Sequence, residues 1–109
     1  MSEQAQILQT LMDILESRKT VSPDASYVSS LYQKGLDAVL KKIGEESAET
    51  IIAAKNGEQD ALIYELADLW FHTLVLMSHQ GIHPDQVLSE LQRRLGVSGL
   101  EEKAGRSTS

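Results

Sequence analysis

The 109-residue chain carries 10 basic and 16 acidic groups, a formal net charge of −6, 41% hydrophobic and 5% aromatic residues, and no cysteine. This is the size of one small domain, and without cysteine it has no disulfide framework, no thiolate nucleophile and no Cys-ligated zinc, while oxygen-ligand metal sites stay open. The acidic balance argues against a nucleic-acid binder; with no run of roughly 20 uninterrupted apolar residues and no basic-then-apolar leader, a cytoplasmic protein without a membrane partner is expected.

Leu, Ile and Ala recur at helical spacing along the chain, so the expected class is all-α. Ile7, Leu8, Leu11, Ile14 and Leu15 form one stripe of a first amphipathic helix from about Ser2, a candidate N-cap, to Ser17. Lys19 to Ser30 mixes Ser, Thr, Pro and Asp without a sustained period and reads as a loop, with a short helical turn near Ser26. Loops of that length are often functional. Two long helices follow, Leu36 to Asn56 and about Asp60 to Gln80, each ending at a glycine, Gly57 and Gly81, where a left-handed cap belongs. They are expected to form an antiparallel hairpin. A shorter helix starts at Pro84, the favoured first-turn place for proline, buries Val87, Leu88, Leu91 and Leu95, and stops at Gly96. The tail 97–109 is expected to be flexible unless substrate or a partner fixes it. The expectation is therefore a single domain over 1–109, a helical bundle around the hairpin, completed by homodimerisation because so small a core gains from a second copy.

At about 100° per residue, Leu36, Leu40, Ile43, Ile51 and Ala54 line one face of the first long helix, with Glu46 and Glu49 off that stripe and one turn apart. Glu45 lies further round. The second long helix is apolar over nearly its whole circumference, Trp70 and Phe71 included, so it is expected to be buried almost all round. On it Glu65, Asp68 and His72 form one narrow polar strip, extended by His79. A buried carboxylate needs a proton, a cationic partner or a metal ion, and this helix contains no Lys or Arg. Folding the hairpin brings Glu46 and Glu49 to Glu65 and Asp68. Four carboxylates suit a hard cation, Mg²⁺ or Mn²⁺, whose partly hydrated shell accepts phosphate oxygens, and such an ion reconciles an acidic chain with a polyphosphate substrate. Phosphoanhydride hydrolysis is the chemistry that follows.

Plainer readings stand beside this one. Glu45, Glu46 and Glu49 alone resemble a solvated helix face, with Lys42 four residues before Glu46 as a partner. His72 on a buried helix is as readily a hydrogen-bonded core residue or a support for a carboxylate as a substrate contact. Lys41, Lys42 and Lys55 flank the acids within reach of phosphates, yet surface lysines usually only solubilise. No G-x-x-x-x-G-K-[ST] loop exists, which excludes a P-loop nucleotidase.

Glu45-Glu46-x-x-Glu49, fifteen residues, then Glu65-x-x-Asp68 resembles the paired E-E-x-x-E and E-x-x-D motif of the all-α, MazG-like nucleotide pyrophosphohydrolases. Ser26-Tyr27, Lys34-Gly35, Lys41 to Glu46, Ala53-Ala54-Lys55, Glu65 to His72, and Arg94 to Lys103 with Arg106 are similar to the phosphoribosyl-ATP pyrophosphatases of histidine biosynthesis. The resemblance implies Mg²⁺-dependent hydrolysis of phosphoribosyl-ATP to phosphoribosyl-AMP and pyrophosphate by a cytoplasmic homodimer. It places the metal on Glu46, Glu49, Glu65 and Asp68, the four acids that helical geometry also selects, and gives Glu45 a supporting or water-activating role. The candidate catalytic acids are thus Glu45, Glu46 and Glu49, and the candidate substrate contacts are Lys42, Lys55, His72, Arg94 and Lys103. Two other functions fit the acids: a house-cleaning nucleoside triphosphate pyrophosphatase, which need not share the tail from Arg94 to Arg106, and a non-enzymatic helical dimerisation module.

Overall fold

A computed structural model describes residues 3–96. The tail 97–109, Lys103 with it, and the cap expected at Ser2 lie outside the described residues. Five α-helices and no strand occur among those described: α1 Glu3–Ser17, α2 Tyr27–Lys34, α3 Leu36–Asn56, α4 Gln59–Gln80 and α5 Pro84–Arg94. The all-α expectation holds, and the two long helices end where their sequence signals put them. Gly57 and Gly81 both take the left-handed conformation that closes a helix.

The segment expected as a loop is more ordered than its composition suggests. Two 3-10 turns, Arg18–Thr20 and Pro23–Ala25, lead into α2, which is a full helix of eight residues rather than one turn. Ser26 caps it by accepting the Ser29 N–H at 3.2 Å, a contact worth about 1 kcal/mol to a helix. Val28 and Leu31 then bury against the core, and that packing carries the helix beyond what local preference alone predicts.

The α3 and α4 helices, joined by Gly57 and Glu58, make the most extensively packed pair of elements, and α1 lies against α4. Met12, Leu15, Val28, Leu31, Val39, Leu74 and Val75 form the core. Ser78, fully buried, sits between Tyr32 Oη and Glu16, at 2.9 Å from each. The Glu16 carboxyl is held below its usual range by Lys19 first and by Ser78 second. By length and mean hydropathy α4 is long and apolar enough to cross a membrane, but its acids and its packing against α1 and α3 make it the central helix of the bundle.

Three expectations about burial are corrected here. The buried residues of α3 are Val39, Glu46 and Ala53, a seam repeating every seven residues, whereas Leu36, Leu40 and Ile51 are exposed. Secondly, α4 is not covered all round: Ile63, Tyr64 and Trp70 face outward, Trp70 at 68% exposure. Trp70 is therefore not a core residue of this chain, although Phe71 does pack against the core. Thirdly, Val87, Leu88, Leu91 and Leu95 of the last segment remain exposed, Pro84 being the buried residue of α5. The cause is common to all three. Among the described residues no helix packs over the outer side of the central pair, so apolar faces that periodicity marks for burial stay uncovered there.

Candidate active site

Glu46 occupies a buried seam position of α3 at 3% exposure, and Glu49 follows one turn later with its side chain exposed. Across the helix pair stands Glu65, partly buried. Carboxylate oxygens of these three residues lie within 4.8 Å of one another. Two of the oxygens, Glu46 Oε2 and Glu65 Oε2, are buried without any hydrogen-bond donor. Leaving a buried polar group unsatisfied costs about 1–3 kcal/mol, more for a charged one, so the arrangement is poor as a purely structural feature.

Electrostatics follow from the crowding. Glu65 is pushed up from 4.5 to about 7, chiefly because its carboxyl lies so close to that of Glu49 that a proton held between them is favoured, then through burial, the charge of Glu49 and its contacts with Glu46. Lys42 contributes one positive charge, with Nζ 3.3 Å from Glu45 Oε2 and 3.4 Å from Glu46 Oε1. It offsets only part of the negative charge of the cluster. The donor set is all oxygen, converging and short of positive charge, which is the chemistry of a hard divalent cation site. The Lys42 to Glu46 contact at four-residue spacing matches the pairing its position suggests.

Asp68 comes one turn after Glu65 on the same strip of α4, outside the group of three. Its backbone carbonyl lies 2.8 Å from His72 Nδ1, and His72 is buried. His79 extends the strip by stacking on Tyr32. Glu45 is exposed beside Lys42. Lys55 lies in the last turn of α3, six residues or about 9 Å of helix rise beyond Glu49. Arg94, in the last turn of α5, pairs with Glu90 at 3.4 Å. The structure therefore gathers Lys42, Glu45, Glu46, Glu49 and Glu65, with Asp68 and His72 adjoining on α4, while Lys55 and Arg94 stand at helix ends.

One neighbour was not marked by sequence chemistry. Tyr27, the first residue of α2, places Oη 2.8 Å from His72 Nε2. No spacing rule joins residues 45 positions apart. In the sequence Tyr27 figures only within the Ser26-Tyr27 pair of the family resemblance, with no role attached, and Ser26 as a cap sets where Tyr27 begins the helix.

An all-α chain with acids converging between its two long helices defines the class: a helical protein built around a carboxylate centre. The family follows from comparison with known proteins. The model of the phosphoribosyl-ATP pyrophosphohydrolase family matches residues 8–95, and the chain belongs to that family. Among its relatives is a phosphoribosyl-ATP pyrophosphatase of Methylococcus capsulatus, 63% identical over 92% of this chain and 95% of that protein. The proteins of the same name from Hydrogenovibrio crunogenus, covering 93% of each chain, and Vesicomyosocius okutanii, covering 94% of this chain and 97% of that one, are each 59% identical.

Proposed function

We infer that this protein is a hydrolase that cleaves phosphoribosyl-ATP to phosphoribosyl-AMP and pyrophosphate in histidine biosynthesis, using a divalent cation, Mg²⁺ or Mn²⁺. Family membership supports the substrate. The single observation that supports the cation is the pair of orphaned, buried carboxylate oxygens on Glu46 and Glu65 within a cluster of three acids. Glu46, Glu49, Glu65 and Asp68 are the residues proposed to hold it.

When bound, the ion supplies positive charge to the phosphate oxygens as the phosphorus–oxygen bond breaks and favours ionisation of water. The chain's own residues do the rest. Water adds at phosphorus, the α,β-phosphoanhydride bond breaks, and the water proton passes to a carboxylate, for which exposed Glu45 and Glu49 are the candidates. Lys42, half-buried beside Glu45 and Glu46, is positioned to hold a phosphate oxygen. We assign Lys55, Arg94 and Lys103 to outer contacts with the substrate, and His72 to the support of α4 beside Asp68.

The protein is further proposed to be one domain that works in the cytoplasm as a homodimer, on a small-molecule nucleotide, without nucleic-acid or membrane partners. The outward-facing Ile63, Tyr64 and Trp70 of α4 support the dimer, because a patch of that kind on a small chain marks an interface.

The test is pyrophosphate release from phosphoribosyl-ATP, ATP and dUTP, each with Mg²⁺ and with excess chelator. Cleavage of phosphoribosyl-ATP alone, abolished by chelator, is the expected result. Equal cleavage of ATP or dUTP would replace the substrate by nucleoside triphosphates in general, and absence of all cleavage would leave a helical dimerisation module.

A further inference from the structure

His72 is 3% exposed and both its ring nitrogens are engaged. Nδ1 lies 2.8 Å from the Asp68 carbonyl oxygen. A carbonyl only accepts, so Nδ1 carries the hydrogen, and in the neutral ring Nε2 is an acceptor for the Tyr27 hydroxyl at 2.8 Å. The phenol meets the imidazole edge-on, with centroids 5.8 Å apart at 83°, and Phe71 adds a second edge contact at 5.3 Å and 86°. Two hydrogen bonds thus connect the start of α2 to the α4 backbone at Asp68.

The same short helix makes a second tie to α4, through Tyr32 Oη and Ser78 Oγ at 2.9 Å. The two tyrosines lead to different places. Behind Ser78 stand Glu16 and Lys19, a network that includes none of the four acids. Behind His72 stands Asp68. The Tyr27 hydroxyl also feels the charges of Lys42, Asp68, Glu46 and Glu45, which, after burial, are what shift its ionisation. It therefore lies within electrostatic range of the acids from both long helices.

We infer that Tyr27 is a positioning residue for this site, acting through His72 to hold the α4 backbone at Asp68 and so to set Glu65 and Asp68 against Glu46 and Glu49. The inference rests on the cation-binding reading above. Groups that orient a ligand set without touching the ion matter because a carboxylate displaced by a fraction of an ångström loses its place in the coordination shell.

The experiment is a Mn²⁺ titration of the full chain, read by the spectroscopic signal of free Mn²⁺, on the wild type, Tyr27→Phe, Tyr32→Phe and His72→Phe, with melting temperatures taken in chelator. Tyr27→Phe keeps the ring and loses the hydroxyl, and is expected to weaken Mn²⁺ by about tenfold. His72→Phe, which removes both bonds, is expected to weaken it at least as much. Tyr32→Phe is expected to retain wild-type affinity while lowering the melting temperature by an amount comparable to Tyr27→Phe. Wild-type affinity in Tyr27→Phe or in His72→Phe, or equal weakening in Tyr32→Phe, overturns the positioning role while leaving the cation site intact. A wild-type chain that takes up no Mn²⁺ removes the cation reading itself, and the positioning role with it.

Discussion

Glu65 is the residue whose chemistry depends most on its neighbours. Its carboxyl titrates near 7 rather than 4.5 because Glu49 and Glu46 crowd it. Between those two values the folded chain holds a proton that the unfolded chain has released, so the contribution of this group to stability is fully present below about 4.5 and lost as pH rises through about 7. Glu65→Gln mimics the protonated form. In chelator, its melting temperature is therefore expected to match the wild type near pH 5 and exceed it near pH 8, and added Mg²⁺ or Mn²⁺ is expected to raise the wild type most at the higher pH. A difference between the two proteins that does not vary with pH would show that Glu65 is not held near neutrality by the cluster. Glu49→Gln and Asp68→Asn test the same acids through activity. Each removes ligand charge at nearly constant volume, and each is expected to lower turnover at least about a hundredfold, since loss of an outer partner alone costs about 10–100-fold. Far-UV circular dichroism is expected to show unchanged helicity. Wild-type rates in both variants would remove these acids from the site.

The elements themselves were largely legible in the sequence. The ends of α3 and α4 follow from glycines at their C-termini, and the start of α5 follows from Pro84. There the structure adds a reciprocal cap, with His83 Nδ1 accepting the Asp85 N–H at 3.1 Å and Gln86 Oε1 accepting the His83 N–H at 2.9 Å. The junction between α2 and α3 was less legible. Gly35 alone ends the first helix and begins the second, with φ 96° and ψ −174°, a backbone region essentially reserved for glycine. A Cβ added there would meet nothing within 4 Å, so the cost of a substitution is backbone strain alone. Gly35→Ala is expected to cost about 1–3 kcal/mol, which in a domain of this size lowers the melting temperature by about 4 °C or more. Gly44 supplies the contrast: mid-helix, with equally open space, its replacement by Ala is expected to stabilise by about 0.5–1 kcal/mol. Thermal melts of the two variants in chelator check both signs, and equal effects would contradict the assignment.

At the scale of the whole molecule, the apolar residues outnumber the core. Seven buried side chains form it, while Ile51, Ile63, Trp70 and Leu91 lie more than half exposed. A proposed second copy covers that surface with the same surface of its own, as two-fold symmetry requires. Trp70→Asp with Ile63→Asp is expected to leave helicity in place and to halve the mass measured by light scattering, because both side chains face outward in the single chain. A wild-type mass of one chain at micromolar concentration would exclude the homodimer. Burial along α4 was overestimated from periodicity because composition states that a face is apolar, and not what covers it.

The glycine-marked ends of α3 and α4, the start of α5 at Pro84 and the spacing of Glu45, Glu46, Glu49, Glu65 and Asp68 belong to the sequence by itself, because those features are set by groups within about one turn of each other. Tertiary structure decided the rest. It turned Glu46 inward and Leu40 outward on α3, brought three carboxylates together with two oxygens left unpaired, and set the Tyr27 hydroxyl on His72. The physical reason is that the rotation of one helix against another is chosen by the packing of the whole bundle, and no periodicity within a single helix contains that choice.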